Sequence, residues 1–422
     1  MDFAYSPKVR ALQAQLSEFM AQHVLPADAE FRRIADGGGY PLAIVDDLKA
    51  KAREQGLWNL FLPGLKDDEP GTRLTNLEYA PLAEIMGRVP WASEVFNCNA
   101  PDTGNMEVLH LFATAEQRAR WLDPLMAGEI RSCVAMTEPD TASSDPTNIA
   151  TSVRREGGDY VINGRKWFTT GAIHPRAALF LVMGRQEDRA EKGPHERHTI
   201  VLVPKDTPGV TVVRNVPVMG HHAPEGHCEV LFRDVRVPAE NRLGEEGAAF
   251  ALMQARLGPG RIHHCMRTIG QCEVAIELMT DRAQERVAFG RRLAEYSNVA
   301  DWIAESRIEV DMVRLLVLKA AWRMDLEGNK AARVDVSAIK LAAARLQTRV
   351  VDRAMQVFGA AGLTPDTPLA YLYAWGRALR FVDGPDEVHL RTVARAELAA
   401  RKAARGNERG GYFPVPSARG TA

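Results

Sequence analysis

The sequence predicts an α+β protein in which a helical part, a β part and a second helical part follow one another. Apolar residues recur every three or four positions in the first third, strand-like runs alternate with turn residues in the middle, and the helical spacing returns after about residue 247. We therefore expect an N-terminal α-helical domain over 1–132, a β-domain over 133–246, an α-helical bundle over 247–403 and a flexible tail over 404–422.

The N-terminal part should begin with a capped helix. Ser6 is a suitable N-cap and Pro7 a suitable first helical residue. The helix then has an apolar face made of Val9, Leu12, Leu16 and Phe19. The glycines at 37–39 should interrupt the helical pattern. Thr114 and Gln117 have the spacing of a capping box, which predicts a helix over 115–126.

The middle part should form an antiparallel sheet or barrel. Gly157-Gly158 and Asn163-Gly164 both look like turns, and Asn-Gly is a strong signal for a tight hairpin turn. Further strands are expected at 179–183, 199–203, 210–213 and 229–232. The segments between these strands are too short for crossover helices, so antiparallel pairing is favoured.

The C-terminal part should contain long amphipathic helices. One apolar stripe ends at Gly359 and consists of Ile339, Ala343, Leu346, Val350, Ala354 and Val357. A second stripe consists of Ile308, Met312, Leu315, Leu318 and Trp322. Between the β part and these stripes, Gly258-Pro259-Gly260 predicts a kink or break in a long helix.

Composition argues against several classes of protein. Lys and Arg total 53 and Asp and Glu total 54, so the basic field typical of nucleic-acid binders is missing. No apolar run approaches the roughly 20 residues of a membrane span, and the first six residues do not resemble a signal peptide. The five cysteines form no Cys-x-x-Cys, and neither His221-His222 nor His263-His264 has metal-ligand spacing. We expect a cytoplasmic protein with reduced thiols and no bound metal.

Three segments have residues suited to chemistry, although each also has a purely structural interpretation. Small residues around Thr137 and Ser143 would let a polar ligand approach the backbone, but a strand ending in a loop explains them as well. Trp167 beside Thr169 suits a planar heterocycle, or Trp167 is core. The carboxylates at 383–387 are candidate general bases, or a solvated acidic turn. No Rossmann fingerprint or Walker motif is present.

Taken together, five segments resemble the acyl-CoA dehydrogenase family from about residue 8 to 400. They are the helix pair at 114–129, the Thr-Glu-Pro loop at 137–139, Asn-Gly-Arg-Lys-Trp-Phe-Thr at 163–169, Arg-Val-Ala-Phe-Gly at 286–290 and Gln-Val-Phe-Gly-Ala-Ala-Gly at 356–362. Ser143-Ser144-Asp145 and the segment 383–389 look most similar to family members 10 and 11. The resemblance implies a C-terminal four-helix bundle and FAD bound between the β-domain and that bundle.

The resemblance also implies site residues. Thr137 and Thr169 would hydrogen-bond the flavin ring beside Trp167. Further implied FAD contacts are Met136, Ala142, Ser143, Phe168, Ser297, Gly359, Ala360 and Glu387. Arg286, Phe289 and Gln356 would reach a neighbouring subunit's FAD. Because that contact needs a second copy, a homodimer or homotetramer is expected.

By the same resemblance, Asp383 is the catalytic base that removes the proton next to the thioester. Most relatives have Glu there, and Asp reaches about 1.5 Å less far; Asp386 and Glu387 are the alternatives. Some relatives place the base on the preceding helix, and the corresponding residue here is Gly260, which has no side chain that could act as a base. Pro385 replaces a flavin-contacting Thr and Gly258 replaces a CoA-contacting Asp. The implied substrate contacts are Ser143, Arg261 and Gly384, although Arg261 is also consistent with a surface charge.

Three functions remain open at this point. The first is FAD-dependent α,β-dehydrogenation of a fatty acyl-CoA to the trans-2-enoyl-CoA, with electrons passed to an electron-transfer flavoprotein. The second is an acyl-CoA oxidase or flavin monooxygenase on the same fold; an acid at 383 argues against the monooxygenase, which needs no such base. The third is a non-catalytic acyl-CoA-binding protein. Acyl chain length and branching are not predicted.

Overall fold

The computed structural model describes residues 4–65, 68–69 and 71–407, and its elements follow the predicted order of helices, strands and helices. The N-terminal helices are α1 (Pro7–Phe19), α2 (Leu25–Asp36), α3 (Leu42–Glu54), α4 (Asn76–Gly87), α5 (Asp102–Phe112), α6 (Ala115–Gln117) and α7 (Asp123–Met126). One-turn π segments, Met20–Val24 and Arg118–Leu122, join α1 to α2 and α6 to α7. The predicted helix over 115–126 is therefore continuous but not wholly α.

Both predicted caps in this part are confirmed. The Val9 N–H donates to Ser6 Oγ at 3.3 Å. Thr114 and Gln117 exchange the two hydrogen bonds of a capping box. Each cap satisfies N–H groups that the first helical turn leaves without a partner.

The middle part is one sheet with strands β1 (Arg131–Ala135), β2 (Ser152–Glu156), β3 (Asp159–Thr170), β4 (Ala177–Gln186), β5 (His198–Pro204), β6 (Val210–Asn215), β7 (His227–Pro238) and β8 (Arg242–Leu243). Its order is β6-β7-β3-β2-β4-β5-β8, with β1 also on β4. Most neighbours are antiparallel, as predicted, but β1 and β2 pair with β4 in parallel. The β2–β3 hairpin supplies the long connection that a parallel β1–β4 pair needs.

The predicted turn at Asn163-Gly164 is wrong. Strand β3 runs straight through both residues, and the hairpin turn lies at Gly157-Gly158. Gly164 is needed for space: a Cβ there would lie 2.6 Å from Cβ of Thr151. A shift in the β3–β7 register between Ile162 and Gly164 marks the same place as a bulge.

The C-terminal part contains α8 (Ala249–Glu285), a small hairpin of β9 (Val287–Ala288) and β10 (Arg291–Arg292), and then α9 (Ser297–Ala331), α10 (Arg333–Phe358), α11 (Leu369–Leu379) and α12 (Asp386–Asn407). Helix α8 continues through residues 258–260, so the break predicted there is wrong. Helix α12 extends beyond the expected start of the tail at 404, and residues 408–422 lie outside the described residues.

The two predicted apolar stripes have different surroundings. The stripe on α10 is buried, and α10 ends at Gly359 with φ 65° as predicted. The stripe on α9 is largely exposed, with Ile308 at 59%, Met312 at 64% and Trp322 at 39%. An exposed apolar face of this kind on a single chain marks an interaction surface.

The apolar core joins the three parts. Alternate residues of β4, such as Leu179 and Leu181, belong to a cluster shared with the helices, while Phe180 and Val182 belong to a second cluster within the sheet. This alternation follows from the two-residue period of a strand, and burial of both faces explains why β4 is almost wholly apolar. Within the described residues, no helix is both long and apolar enough to span a membrane.

Candidate active site

The loop after β1 is tied to strand β3. The Trp167 N–H donates to the Thr137 carbonyl oxygen at 3.0 Å. Beside it, the buried Lys166 ammonium contacts Glu138 Oε1 at 2.9 Å and donates to the carbonyls of Met136 at 2.9 Å and Met183 at 2.7 Å. The predicted residues Met136, Thr137 and Trp167 are therefore brought together, and a buried ammonium fixes their spacing.

The Lys166–Glu138 pair is electrostatically coupled. Burial lowers the pKa of Lys166 to about 8, although Glu138 opposes that shift. For Glu138, burial acts to raise the pKa, but Lys166 and hydrogen bonds outweigh it and the pKa falls to about 2. Glu138 also accepts hydrogen bonds from the N–H groups of Ala150 and Thr151, both at 2.8 Å. A carboxylate with this many donors stays ionised near neutral pH.

The loop is also closed on itself. The Glu138 N–H donates to Ser143 Oγ at 2.9 Å, and the Asp145 N–H donates to the Ala142 carbonyl at 3.1 Å. The Ser143 hydroxyl thus has a structural partner in addition to the ligand contacts predicted for it. Thr137, which precedes Glu138 in this loop, is exposed.

Two buried polar atoms on β3 have no partner among the described residues. They are Oγ1 of Thr169, whose side chain is fully buried, and the indole Nε1 of Trp167. Such groups cost free energy unless a ligand or water satisfies them. Between them, Phe168 has φ 49° and is 43% exposed, at a register shift of the β3–β7 ladder. The observed set of an aromatic ring, an indole N–H and a hydroxyl fits a flat, polar-edged ring such as a flavin.

The turn between α11 and α12 holds Asp383 in an uncommon conformation. Asp383 has φ 56° and Gly384 has φ 110°. Arg261 Nε on α8 donates to the Asp383 carbonyl at 3.0 Å. Within the described part of the chain, nothing accepts a hydrogen bond from the Asp383 N–H. The turn therefore presents a carboxylate together with an available N–H donor.

The other two acids of this turn are placed differently. Asp386 is buried, and its carboxylate accepts from Arg380 Nε at 2.8 Å and from Arg345 Nε at 3.3 Å. Glu387 is exposed at the first turn of α12. Asp386 is thus engaged in ion pairs that stabilise the turn.

Cations surround the Asp383 carboxylate, whose side chain is 14% exposed. Burial acts to raise the pKa of Asp383, but electrostatic interactions with His264, Arg256, Arg261 and Lys340 outweigh it and hold that pKa below its ordinary value. His264 is neutral near pH 7 because burial lowers its pKa to about 3. Arg256 and Arg261 remain charged at neutral pH, and the lowered pKa keeps Asp383 ionised there.

Two glycines of α8, Gly258 and Gly260, have different surroundings. A Cβ on Gly260 would lie 3.7 Å from Asp383 Oδ2, so this position leaves room beside the carboxylate. A Cβ on Gly258 would lie 2.7 Å from Asn329 Oδ1, and the Asn329 side chain occupies the space that a larger residue would need. Packing therefore explains Gly258, whereas a Cβ at position 260 would make only an ordinary van der Waals contact.

The residues expected to meet a second subunit are exposed in the single chain. Phe289 is 100% exposed at the tip of the β9–β10 hairpin. The others in this exposed set are Arg286, Ser297, Gln356, Gly359 and Ala360. Arg282, near the end of α8, stacks on Phe358 at 5.4 Å, which brings the ends of α8 and α10 together.

Sequence reasoning missed three buried polar residues of α8. Arg256 donates to Asn105 Oδ1 at 2.7 Å, His264 lies beside Asp383, and Arg267 donates to His264 Nδ1 at 3.1 Å. The available signal was a set of basic side chains on a helix whose neighbouring residues are apolar. Their spacing matches no metal or nucleophile motif, so the pattern did not distinguish a site from a surface.

Comparisons with known proteins agree with one another. The family profile "Acyl-CoA dehydrogenase, N-terminal domain" matches residues 6–129, and the corresponding middle-domain and C-terminal-domain profiles match 133–235 and 247–398. FadE2 of Mycobacterium tuberculosis, named as a probable acyl-CoA dehydrogenase, is 55% identical over 407 residues, which are 95% of this chain and 98% of FadE2. Acyl-CoA dehydrogenase family member 10 of Mus musculus is 52% identical over 93% of this chain, but the match spans only 37% of that longer protein. A solved Mycobacterium abscessus structure, assigned to the acyl-CoA dehydrogenases, has a TM-score of 0.89 at 47% identity and covers 94% of this chain and 100% of its own.

Proposed function

This chain belongs to the acyl-CoA dehydrogenase family, and we propose that it oxidises a fatty acyl-CoA to the trans-2-enoyl-CoA with Asp383 as the base. It is an FAD-dependent oxidoreductase of fatty-acid metabolism. The observation that carries the proposal is the turn at 383–384, next to Gly260 of α8. An ionised carboxylate lies there together with an N–H that has no acceptor among the described residues.

The FAD site fits the residues that β3 and the loop after β1 bring together. We propose that the Thr169 hydroxyl and Trp167 indole, whose polar atoms lack a partner within the described chain, contact the flavin together with Thr137. Bound FAD would supply the hydride acceptor for the carbon two positions from the thioester carbonyl. The remaining contacts in this proposal are Met136, Ala142, Ser143, Phe168 and Glu387.

The chemistry proposed for the chain itself is proton transfer and charge stabilisation. The Asp383 carboxylate takes the proton from the carbon next to the thioester carbonyl, which forms an O–H bond as the C–H bond breaks. The Asp383 N–H donates to the thioester oxygen, where negative charge develops. One residue thus supplies both groups, and the Arg261 hydrogen bond to the carbonyl of that residue holds the turn in place.

Substrate binding is proposed to involve Ser143, Arg261 and Gly384. Arg261 Nε is already engaged with the Asp383 carbonyl. We therefore infer that Arg261 supports the catalytic turn as well as facing the CoA ester. Gly384 keeps the turn narrow, since a Cβ there would lie 3.1 Å from His389 Nε2.

A second copy of the chain is proposed to complete the FAD site. Support comes from the fully exposed Phe289 and from the exposed apolar stripe on α9. Arg286, Ser297, Gln356, Gly359 and Ala360 would contact FAD from that side. A homodimer or homotetramer and reoxidation by an electron-transfer flavoprotein both follow from the family resemblance, and the cytoplasmic location stays a prediction.

The test is anaerobic stopped-flow reduction of the flavin by saturated acyl-CoAs of graded chain length. The parent should bleach, and Asp383→Asn should lose at least 100-fold in rate, on the scale that loss of a general base produces. Asp366→Asn, the same change at an exposed site, is the matched control. Bleaching by Asp383→Asn at the parental rate would remove Asp383 as the base.

Two other outcomes separate the alternative functions. Rapid peroxide formation in air without an added acceptor would indicate an acyl-CoA oxidase. Tight binding of every acyl-CoA with no bleaching under argon would indicate a non-catalytic binding protein. Chain-length preference would be read from the same traces.

A further inference from the structure

His264 of helix α8 lies next to the proposed base. Its Nε2 is 3.6 Å from Asp383 Oδ2, and its side chain is 8% exposed. On the opposite edge of the ring, Arg267 donates a hydrogen bond to Nδ1 at 3.1 Å. Because an arginine has no acceptor, Nδ1 must be the unprotonated nitrogen. The neutral ring therefore carries its proton on Nε2, directed towards Asp383.

Arg267 is itself anchored outside α8. Its other terminal nitrogen donates to the Cys98 carbonyl at 3.3 Å, in the segment before α5. The imidazole is further enclosed by Trp375 of α11, with ring centroids 6.1 Å apart. Contacts from three elements thus hold the His264 ring in one orientation.

Other groups also face the Asp383 carboxylate. Arg256 and Arg261 approach from α8, Lys340 from α10 and His389 from α12. These groups supply charge, but the arginine hydrogen bonds are made elsewhere: Arg261 donates to the Asp383 carbonyl and Arg256 donates to Asn105 Oδ1. Lys340 donates to the Leu379 carbonyl. The His264 ring, by contrast, places Nε2 at 3.6 Å from a carboxylate oxygen of Asp383.

We propose that His264 is a positioning residue for Asp383: its Nε2–H holds the short carboxylate in the orientation that meets the substrate proton, and Arg267 enforces the tautomer that makes this contact. The inference rests on Asp383 being the base. His264 stays neutral throughout, and the transferred proton remains on Asp383, so no further acceptor is needed.

The geometry explains why such a residue is needed here. An aspartate reaches about 1.5 Å less far than a glutamate, and an error of about 1 Å in a reacting group can cost on the order of 100-fold in rate. A fixed side-chain orientation removes part of that error. The 3.6 Å separation is longer than a hydrogen bond, and catalytic contacts commonly tighten when substrate excludes water.

The experiment compares His264→Gln with His264→Asn in the FAD-loaded enzyme. A glutamine amide can place an N–H near the Nε2 position, whereas the shorter asparagine cannot reach Asp383. We expect His264→Asn to lower the rate of flavin reduction about 10- to 100-fold with substrate affinity nearly unchanged. His264→Gln should recover most of the rate. His263→Gln, on the neighbouring residue packed between Phe61 and Tyr79, is the matched control for disturbing the core of α8.

Three readouts distinguish positioning from a structural role. The apparent pKa of the base in the rate profile should rise in His264→Asn, since a hydrogen bond that favours the ionised carboxylate is lost. The isotope effect with substrate deuterated next to the thioester should increase as proton removal becomes slower. FAD content and melting temperature should match the His263→Gln control.

An unchanged pH profile and isotope effect in folded His264→Asn would overturn the inference, as would equal loss of rate in the Gln and Asn variants. Failure of the proposed function looks different: Asp383→Asn would still reduce flavin, whatever the His264 variants do. If His264→Asn does not fold, the pH profile of His264→Gln tests the inference instead. A His264→Gln variant that folds like the parent but has a raised apparent pKa would contradict the predicted rescue.

Discussion

Lys166 Nζ lies 2.9 Å from Glu138 Oε1, and both side chains are at least 95% buried. The pair connects strand β3 to the loop that carries Thr137. Because neither charge is solvated, each depends on the other and on nearby carbonyl and N–H groups. The loop after β1 and the strand that carries Trp167 are therefore expected to behave as one rigid unit.

Replacing Lys166 with methionine should destabilise this unit strongly. The change keeps the length of the side chain but leaves Glu138 buried without its cation, which typically costs about 3 kcal/mol or more. We expect a lower urea midpoint and weaker FAD binding, measured by flavin fluorescence. Adding Glu138→Gln should restore part of the stability, and a double variant no better than the single one would contradict a specific ion pair.

Replacing Gly164 with alanine should destabilise the sheet. The added Cβ would lie 2.6 Å from Cβ of Thr151, and overpacking of this kind costs about 1–3 kcal/mol. The matched control is Gly158→Ala at the hairpin turn, where nothing lies within 4 Å of the added atom. Thermal melts of the two variants should differ by several degrees, and equal melting temperatures would argue against close packing at Gly164.

Replacing Asp383 with glutamate, the residue that the family resemblance predicts at this position, should lower the rate of flavin reduction. The site around residue 383 is set for the shorter acid, and a displacement of about 1 Å costs on the order of 100-fold. Single-turnover reduction by a substrate that reduces the parent enzyme would measure the effect. A parental rate in Asp383→Glu would mean that the surrounding turn adapts to either acid.

Protein stability should fall as the pH drops below 6.5. Burial lowers the pKa of His389 to about 4 and that of His264 to about 3, from an ordinary value of 6.5. Between pH 6.5 and 4, the unfolded chain therefore binds protons that the folded chain does not. Each such histidine removes about 1.4 kcal/mol of stability per pH unit in that window.

Urea unfolding from pH 7 to 5 checks this, and His389→Gln should flatten the dependence by about one proton. Between pH 8 and 7, above the ordinary histidine pKa, the variant and its parent should show similar slopes. An unchanged slope below pH 6.5 in His389→Gln would show that His389 is protonated in the folded protein.

Interactions between residues close in the sequence allowed much of the fold to be predicted. Ser6 and Thr114 cap helices where expected, and Gly359 ends α10, because each acts through residues within one turn. The turn predicted at Asn163-Gly164 is wrong because the space at Gly164 is set by Thr151, thirteen residues earlier in the sequence. The apolar stripe on α9 was correctly placed on a helix, but its exposure depends on which elements pack against it, which sequence periodicity does not specify.

The candidate site was predictable to the extent that it follows family motifs. The motifs identified Thr137, Trp167, Thr169 and Asp383 as site residues. In the structure, a backbone hydrogen bond joins Thr137 and Trp167. His264 and Lys166 gained meaning only from their neighbours, Asp383 and Glu138. A buried charge is interpretable only when its partner is known, and those partners come from distant parts of the chain.

The left-handed backbone at Asp383 bears on how substitutions there should be interpreted. Aspartate and asparagine tolerate positive φ better than other non-glycine residues. Asparagine at 383 would therefore keep the φ of 56° without added strain, whereas alanine or glutamine would not. Asparagine is for that reason the substitution in which a lost reaction reports on the missing carboxylate, and an alanine scan of this turn would confuse chemistry with backbone distortion.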